Sequence, residues 1–235
     1  MKKLEKIYEG KAKVIYSTDD PDLVIQYFKD DATAFNGIKK GTIVDKGVAN
    51  NHISAHIFKY LEGKGVPTHF VEALNDREML IKKLAIIPIE AVMRNVVAGS
   101  LAKRMGRPEG EQLKQPILEF YYKDDALGDP MINEYHVASF GLATPQEMET
   151  LKTQAFEINR ILVEFFKEHK IRLVDFKLEF GRHKGKVLLG DEISPDGCRL
   201  WHWDTNEKMD KDRFRLDLGG VEEKYQEVYH LICKE

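Results

Sequence analysis

The chain has 235 residues, of which 43% are hydrophobic and 32% charged, with 36 Lys and Arg against 39 Asp and Glu. This composition excludes an intrinsically disordered chain, and the near balance of charge excludes a general attraction to nucleic acid or anionic lipid. The length suffices for one large domain or two small ones with a substantial core. A site for an anionic ligand must therefore come from a local group of basic residues.

The N-terminus and the cysteines indicate a cytoplasmic protein. Residues 1–6 are basic, but no apolar stretch of the length of a signal peptide follows them. No run approaches the roughly 18 apolar residues that a membrane helix requires. Cys198 and Cys233 lack Cys-x-x-Cys or Cys/His spacing, so we expect free thiols rather than a disulfide or a zinc site. Neither a membrane nor a nucleic acid is expected as a partner.

The first third of the chain is typical of an antiparallel sheet. Short β-branched or aromatic runs at 4–8, 14–17 and 23–28 are separated by turn residues. Between Asp45 and Glu62 apolar residues recur at helical spacing, which predicts a helix over one sheet face. Further strands are predicted at 68–74 and 78–84. Because Pro88 interrupts the apolar run that follows, we predict a junction between an N-terminal domain, 1–85, and a C-terminal domain, 86–235.

The remainder of the chain contains three predicted helices. A short one covers 101–105. The clearest signal is Thr144-Pro145-Gln146-Glu147, which combines an N-cap threonine, proline at N1 and glutamate at N3, and opens an apolar seam from Met148 to Phe165. A terminal helix follows Gly219-Gly220.

The alternation from Ile171 to Phe180 carries the first chemical signal. A strand there places Asp175, Lys177 and Glu179 on one face, because side chains in a strand alternate with period two. The common explanation of such a face is the solvated side of an edge strand. A hairpin centred on Gly185 would, however, set Glu179 opposite Asp191. Like charges about 5 Å apart need a proton or a cation between them, and two carboxylates suit Mg²⁺ shared with a nucleotide.

Two further segments are candidates for phosphate binding. Gly10-Lys11-Ala12-Lys13 places two lysines on the same side of a strand after a glycine turn, although such a turn is commonly only a hairpin and is not a Walker A loop. Gly99 and Ser100 open the short helix close to Arg94, and Arg199 is a second candidate donor. An N-capped surface helix with solvated charges explains the second segment equally well.

The motifs, taken together and in order, closely resemble the SAICAR synthetase (phosphoribosylaminoimidazole-succinocarboxamide synthetase) family over essentially the whole chain, in its single-function form. The resemblance depends on Tyr8-Glu9-Gly10-Lys11-Ala12-Lys13, Asp31-Ala32-Thr33-Ala34-Phe35-Asn36-Gly37, Pro88-Ile89-Glu90-Ala91-Val92-Met93-Arg94-Asn95, Gly99-Ser100, Leu173-Val174-Asp175-Phe176-Lys177-Leu178-Glu179-Phe180-Gly181 and Gly190-Asp191-Glu192-Ile193-Ser194-Pro195-Asp196-Gly197.

The resemblance implies an activity and an architecture. The activity is an ATP-dependent ligase that joins 5-aminoimidazole-4-carboxylate ribonucleotide (CAIR) to L-aspartate, giving SAICAR, ADP and phosphate in purine biosynthesis. The architecture is a two-domain α+β fold, related to ATP-grasp enzymes, with antiparallel sheets and packed helices. The resemblance also implies Mg²⁺ and a homodimer.

The resemblance further implies roles for individual residues. ATP would contact Lys11, Ala12, Lys13 and Lys82. Mg²⁺ would be held by Glu179 and Asp191. The remaining assignments are Arg94, Ser100, Arg199 and Arg215 for substrate binding, and Asp175 and Lys177 for catalysis.

Two other functions remain open on the sequence alone. One is another ATP-dependent enzyme on the same scaffold, either a kinase-like phosphotransferase or a ligase with a different amine donor. The other is a nucleotide-binding regulator without catalytic activity, which would need the lysine turn but no second anion site at Arg94. The sequence also leaves open an acyl-phosphate or a concerted route.

Overall fold

The computed structural model of the protein describes residues 1–34 and 38–233. Phe35, Asn36 and Gly37 of the second motif lie outside the described residues. The strands, in chain order, are β1 (Lys3–Glu9), β2 (Lys13–Thr18), β3 (Leu23–Phe28), β4 (Asp31–Ala34), β5 (Lys39–Thr42), β6 (Phe70–Asn75), β7 (Glu78–Lys82), β8 (Ala85–Val96), β9 (Gln112–Tyr122), β10 (Met131–Ile132), β11 (Ile171–His183), β12 (Lys186–Leu189) and β13 (Cys198–His202).

The four predicted helices begin close to where the sequence places them, and the described residues form two further short helices that the sequence analysis did not predict. The helices are α1 (Lys46–Gly63), α2 (Gly99–Met105), α3 (Glu134–Ser139), α4 (Pro145–Glu168), α5 (Asp212–Arg215) and α6 (Val221–Cys233). At the start of α4 the Thr144 hydroxyl accepts from the backbone N–H of Glu147, and the Glu147 carboxylate accepts from that of Thr144. This capping box satisfies two N–H groups that a helix end leaves unpaired, and confirms the predicted start. In the described part of the chain no helix is both long and apolar enough to cross a membrane.

Two antiparallel sheets organise the molecule. The first has five strands in the order β1-β2-β3-β7-β6, and α1 packs on it. The second has the order β10-β9-β8-β11-β12, with β13 also paired to β11, and α4 packs on it. The α+β class is therefore confirmed. The sheets separate between Lys82 and Ala85, but α1 also packs against α6, and the domain boundary at 85 stays a prediction.

Strand β11 is central in the second sheet. It pairs with β8 on one side and with β12 and β13 on the other. Phe176, Leu178 and Phe180 are buried in the core, and Asp175 and Glu179 are also buried. The solvated edge-strand explanation of the charged face is therefore wrong. A face that carries charges in a central, buried strand must provide partners for them.

The hairpin after β11 differs by one position from the prediction. Phe180 pairs with Leu189 and His183 with Lys186, so the turn is the two residues Lys184 and Gly185, both with positive φ, rather than a turn centred on Gly185. Such primed two-residue turns match the twist of a hairpin.

As a result Glu179 and Asp191 are not a cross-strand pair. The backbone carbonyl of Glu179 accepts from Gly190, and Asp191 lies just beyond β12 with a φ of 61°. The two carboxylates nevertheless reach the same lysine, Lys177.

Pro88 does not end the strand in which it lies. β8 runs unbroken from Ala85 to Val96 because its pairing with β11 is irregular between Glu90 and Ile86, and Pro88 falls within that stretch. A proline is tolerated where no ladder hydrogen bond requires its missing N–H.

Candidate active site

Two cavities meet beside the charged face of β11. The larger has a volume of about 610 Å³ and the smaller about 390 Å³. Five residues line both of them: Glu90, Asp129, Lys177, Asp196 and Gly197. A ligand in one cavity would therefore lie next to a ligand in the other.

Lys177 is the centre of the charged cluster at this junction. Its ammonium contacts Glu179, lies 3.2 Å from Asp191 Oδ2 and 3.3 Å from Glu90 Oε1. Burial disfavours the charge on this lysine, but the surrounding carboxylates outweigh burial and raise its pKa well above the usual value. Lys123 supplies a second cation, 2.9 Å from Glu179. The Lys177 ammonium thus forms ion pairs with both carboxylates, Glu179 and Asp191.

Lys13 is the corresponding cation for Asp191. It contacts Asp191 and lies 2.9 Å from Glu192 Oε1, with only 15% of its side chain exposed. Burial opposes the charge on Asp191, but Lys13 and Lys177 outweigh it and hold its pKa far below the usual range. Both members of this pair are charged at neutral pH.

The carboxylates suit a metal that is shared with a nucleotide. Among the residues that the structure describes, no group of three or more His, Cys, Asp or Glu side chains is arranged to hold a metal ion. Glu179 and Asp191 provide two carboxylates on one wall of the larger cavity. Mg²⁺ is commonly bound by one or two carboxylates together with substrate phosphates, so this donor set fits it when phosphates are present.

The glycine turn forms part of the wall of the larger cavity. Gly10 N–H donates to the carbonyl of Lys13 at 2.9 Å, which closes the turn between β1 and β2. Lys11, Ala12 and Lys13 all line the cavity. Lys11 is exposed and pairs with Asp125 at 2.6 Å, whereas the Lys13 side chain is only 15% exposed. Lys82 also lines this cavity, and its ammonium donates to the carbonyl of Thr68 at 2.9 Å.

Arg94 organises the smaller cavity. Its guanidinium donates to Asp175 Oδ2 at 2.7 Å, to Glu119 Oε2 at 2.6 Å and to Ser100 Oγ at 3.0 Å, with 3% of the residue exposed. The N-cap of α2 is Ala98, which offers no capping side chain. The side-chain N-cap of the alternative explanation is therefore absent and Arg94 is buried, whereas most of α2 is exposed, as that explanation expects.

Arg199 crosses the same cavity from β13. It donates to Asp175 at 2.8 Å and to Asp212 at 2.8 Å, and Arg215 contacts the other oxygen of Asp212 at 2.5 Å. Burial opposes the charge on Arg199, but the two aspartates outweigh it and raise its pKa. Gly99 has a φ of +52°, and a Cβ at this position would lie 2.4 Å from the guanidinium. Glycine is therefore needed for the close approach of Arg199.

All the predicted site residues lie on the walls of these two cavities. The larger contains Lys11, Ala12, Lys13, Lys82, Glu179 and Asp191; the smaller contains Arg94, Ser100, Asp175, Arg199 and Arg215; Lys177 lines both.

Among the cavity-wall residues that the sequence reasoning missed are His69, Asp196 and Lys211. Asp196 stands in a quoted motif, and its place there was the available signal. His69 is 1% exposed and neither ring nitrogen has a hydrogen-bond partner. Burial lowers the pKa of His69 to about 3, so the ring is neutral at pH 7.

The fold and the cavities together define a class: an α+β enzyme with adjoining sites for two anionic ligands and carboxylates suited to a divalent metal. The family model for SAICAR synthetase matches residues 6–232, and the chain belongs to that family. It is accordingly an ATP-dependent ligase of purine biosynthesis that joins CAIR and L-aspartate to form SAICAR, ADP and phosphate. Of the three functions that the sequence left open, family membership selects this one.

Named relatives agree over the full length. The chain is 60% identical over 232 residues to the phosphoribosylaminoimidazole-succinocarboxamide synthase of Chloroherpeton thalassium, covering 99% of both chains. It is similar to the crystal structure of the synthase from Ehrlichia chaffeensis, with a TM-score of 0.95 and 52% identity over 97% of this chain and 98% of that one. It is also similar to a SAICAR synthetase in complex with ADP, with a TM-score of 0.94 and 48% identity over 97% of each chain.

Proposed function

We propose that the larger cavity binds ATP, that the smaller binds CAIR, and that L-aspartate reacts where the two meet. The observation that carries this assignment is the shared wall, in which Lys177 lines both cavities. Transfer of a phosphoryl group to a carboxylate requires donor and acceptor in contact, and adjoining cavities supply that arrangement. The bound ADP of a structural relative supports the use of ATP.

The smaller cavity suits the phosphate monoester of a ribonucleotide. Arg199 and Arg215 each carry a planar guanidinium that matches phosphate oxygens in a bidentate manner, Arg94 adds positive charge, and Ser100 adds a hydroxyl. Asp175 holds Arg94 and Arg199 in place, since one of its oxygens accepts from both of them. We assign Asp175 an orienting role rather than that of a base, because both of its oxygens are already occupied by arginine donors.

The larger cavity suits the nucleotide. Lys11 and Lys13 supply positive charge from the turn, and Ala12 lets the backbone approach the phosphates. Lys82 and His69 line the same cavity, and the unpaired ring nitrogens of His69 would gain partners from a nucleobase edge. Glu179 and Asp191 would hold Mg²⁺ against the phosphates. Bound there, the ion would supply charge that offsets the charge of the transferring phosphoryl group.

The reaction then follows from the positions of these groups. The bond between the γ-phosphoryl group and ADP breaks, and that group leaves as phosphate with one carboxylate oxygen of CAIR, whose bond to carbon also breaks. A C–N bond forms to the aspartate nitrogen, which loses two protons from its ammonium form to the released phosphate and to solvent. Lys13 and Lys177 stabilise the phosphoryl charge from positions fixed by ion pairs, and this preorganisation lowers the barrier. The same groups serve an acyl-phosphate or a concerted route.

The metal assignment is tested by Glu179→Gln. We expect the Mg²⁺ concentration for half-maximal ADP release to rise about tenfold or turnover to be lost, because one of two carboxylate ligands is removed. ADP release is measured with each of the three substrates omitted in turn, and circular dichroism checks that the fold is intact. Glu157→Gln, a change at an exposed residue of α4 paired with Arg160, is the control. An unchanged Mg²⁺ dependence of Glu179→Gln contradicts the assignment.

We also propose a cytoplasmic homodimer. The two cysteines are free thiols, which is typical of a reducing compartment. The segment 116–122, rich in apolar and aromatic residues, is largely half-buried, with Phe120 in the core. Light scattering after size-exclusion chromatography tests the dimer, and a monomer mass at micromolar concentration contradicts it.

A further inference from the structure

One face of α1 is polar although it is completely buried. Lys46, Asn50 and Ser54 are four residues apart, so they lie on one side of the helix, and each is 0% exposed. Burying a lysine is costly unless its charge is paired. Lys46 and Ser54 have partners in a neighbouring segment, whereas neither side-chain polar atom of Asn50 has a hydrogen-bond partner.

The partner is the irregular segment between β12 and β13, residues 190–197. Lys46 Nζ donates to Asp196 Oδ2 at 2.8 Å, and Ser54 Oγ donates to the carbonyl of Ile193 at 3.2 Å. From α6, the Tyr225 hydroxyl donates to the other oxygen, Asp196 Oδ1, at 2.6 Å. The Asp196 carboxylate is thus held by two helices, from two directions, in the interior of the protein.

This segment carries the groups that face both cavities. It holds Asp191 and Glu192, which pair with Lys13, as well as Asp196, which lines both cavities. We propose that Lys46 and Tyr225 are positioning residues for the ligase reaction: from α1 and α6 they fix the Asp196 carboxylate, and with it residues 191–197, where the two cavities meet. This inference rests on the function proposed above, in which Asp191 serves Mg²⁺.

The Lys46 charge has a second consequence for the junction. Lys211 lines the larger cavity, and its ammonium lies 3.6 Å from Asp196 Oδ2, farther than that of Lys46 at 2.8 Å. Lys46 is therefore the principal counter-ion of Asp196. Burial lowers the pKa of Lys211, and the charge of Lys46 lowers it further, while Asp196 opposes both effects.

Tyr225→Phe tests the proposal with the smallest perturbation. The ring keeps its packing in the core, and only the hydroxyl that holds Asp196 is removed. We expect kcat to fall about tenfold, the Mg²⁺ concentration for half-maximal rate to rise severalfold, and KM for CAIR to stay within about twofold, since the arginines of the smaller cavity are untouched. Tyr229→Phe, one turn further along α6 at a residue that lines neither cavity, is the matched control, with unchanged kcat expected.

Two further variants separate the loss of a buried ion pair, which lowers stability, from the loss of positioning, which lowers kcat. Lys46→Met removes the nearest counter-ion of Asp196 and leaves Tyr225 and the more distant Lys211, and we expect a lower melting temperature together with a lower kcat. The double variant Lys46→Met with Asp196→Asn removes both charges, and we expect the melting temperature to recover while kcat stays low. If the double variant recovers kcat as well as the melting temperature, the proposal is overturned.

Two further outcomes separate this inference from the proposed function. If Tyr225→Phe lowers only the melting temperature, with kcat per folded molecule and the Mg²⁺ requirement unchanged, Lys46 and Tyr225 are structural and the inference fails. If instead Glu179→Gln leaves the Mg²⁺ requirement unchanged while Tyr225→Phe still lowers kcat, the metal assignment fails and the positioning role survives.

Discussion

The side chain of His69 is buried, and neither of its ring nitrogens has a hydrogen-bond partner. Replacing His69 by phenylalanine measures how much free energy of unfolding these unpaired nitrogens cost. Both ring nitrogens are shielded from solvent and unpaired, and the ring packs edge-on against Phe58 with 5.0 Å between centroids. An unsatisfied buried polar group costs about 1–3 kcal/mol. We therefore expect His69→Phe to raise the free energy of unfolding of the ligand-free protein at pH 7 by about 1 kcal/mol or more, because phenylalanine keeps the aromatic contact.

The proton linkage gives a second, larger signal. Because burial lowers the pKa of His69 to about 3, the unfolded chain binds a proton here below its ordinary pKa of 6.5 while the folded chain does not. Stability contributed by this site is therefore lost as pH falls through 6.5, at about 1.4 kcal/mol per pH unit. Between pH 7 and pH 5 the unfolding free energy of the wild type should fall by about 2 kcal/mol more than that of His69→Phe.

The assay is urea unfolding at pH 7, 6 and 5, followed by circular dichroism, with KM for ATP measured in parallel. His69→Gln is the control, since it removes the titration but keeps a polar side chain. It should share the flatter pH response of His69→Phe without its gain at pH 7. If the unfolding free energies of wild type and His69→Phe differ by the same amount at all three pH values, His69 is not held neutral in the folded protein and the prediction is refuted.

Three further predictions concern the smaller cavity and α4. Arg94→Lys should raise KM for CAIR about tenfold or more and change KM for ATP little, because lysine cannot replace the contacts to Asp175, Glu119 and Ser100; equal small effects on all substrates would contradict this. Gly99→Ala should act in the same direction, since its Cβ would displace the Arg199 guanidinium; unchanged steady-state kinetics would show that the guanidinium has room to move. Hydrogen bonding from Arg182 lowers the pKa of Glu147 to about 2. Glu147→Gln should therefore lose about 1–2 kcal/mol of unfolding free energy at pH 7, and its difference from wild type should shrink as pH falls from 4.5 towards 2. A difference in unfolding free energy that persists at pH 2 would contradict this.

The local elements were predictable where the signal was chemical and short in range. The start of α4 depends on the capping box of Thr144 and Glu147, which the sequence displays directly. The position of β11 followed from its alternation. The break at Pro88 was wrong, because an irregularity in the pairing with β11 tolerates the proline, and pairing irregularities leave no local signature.

The candidate site was predictable as a set of residue types but not as an arrangement. The charges on β11 were identified, yet their surroundings depend on whether the strand is central or at an edge. Asp191 was expected opposite Glu179, whereas the two meet through Lys177 from different positions. His69 carried no signal in the sequence, because an unpaired ring is a property of its neighbours.

What the sequence by itself determined is therefore the chemistry available: lysines after a glycine turn, alternating charges in a strand, arginines near a glycine-serine helix start, and the family that combines them. The tertiary structure decided which of these charges are buried and which pair with one another. The physical reason is that burial and Coulomb interactions depend on distances between segments far apart in the chain, such as Lys46 and Asp196, while helix caps and strand alternation depend on neighbours within a few residues.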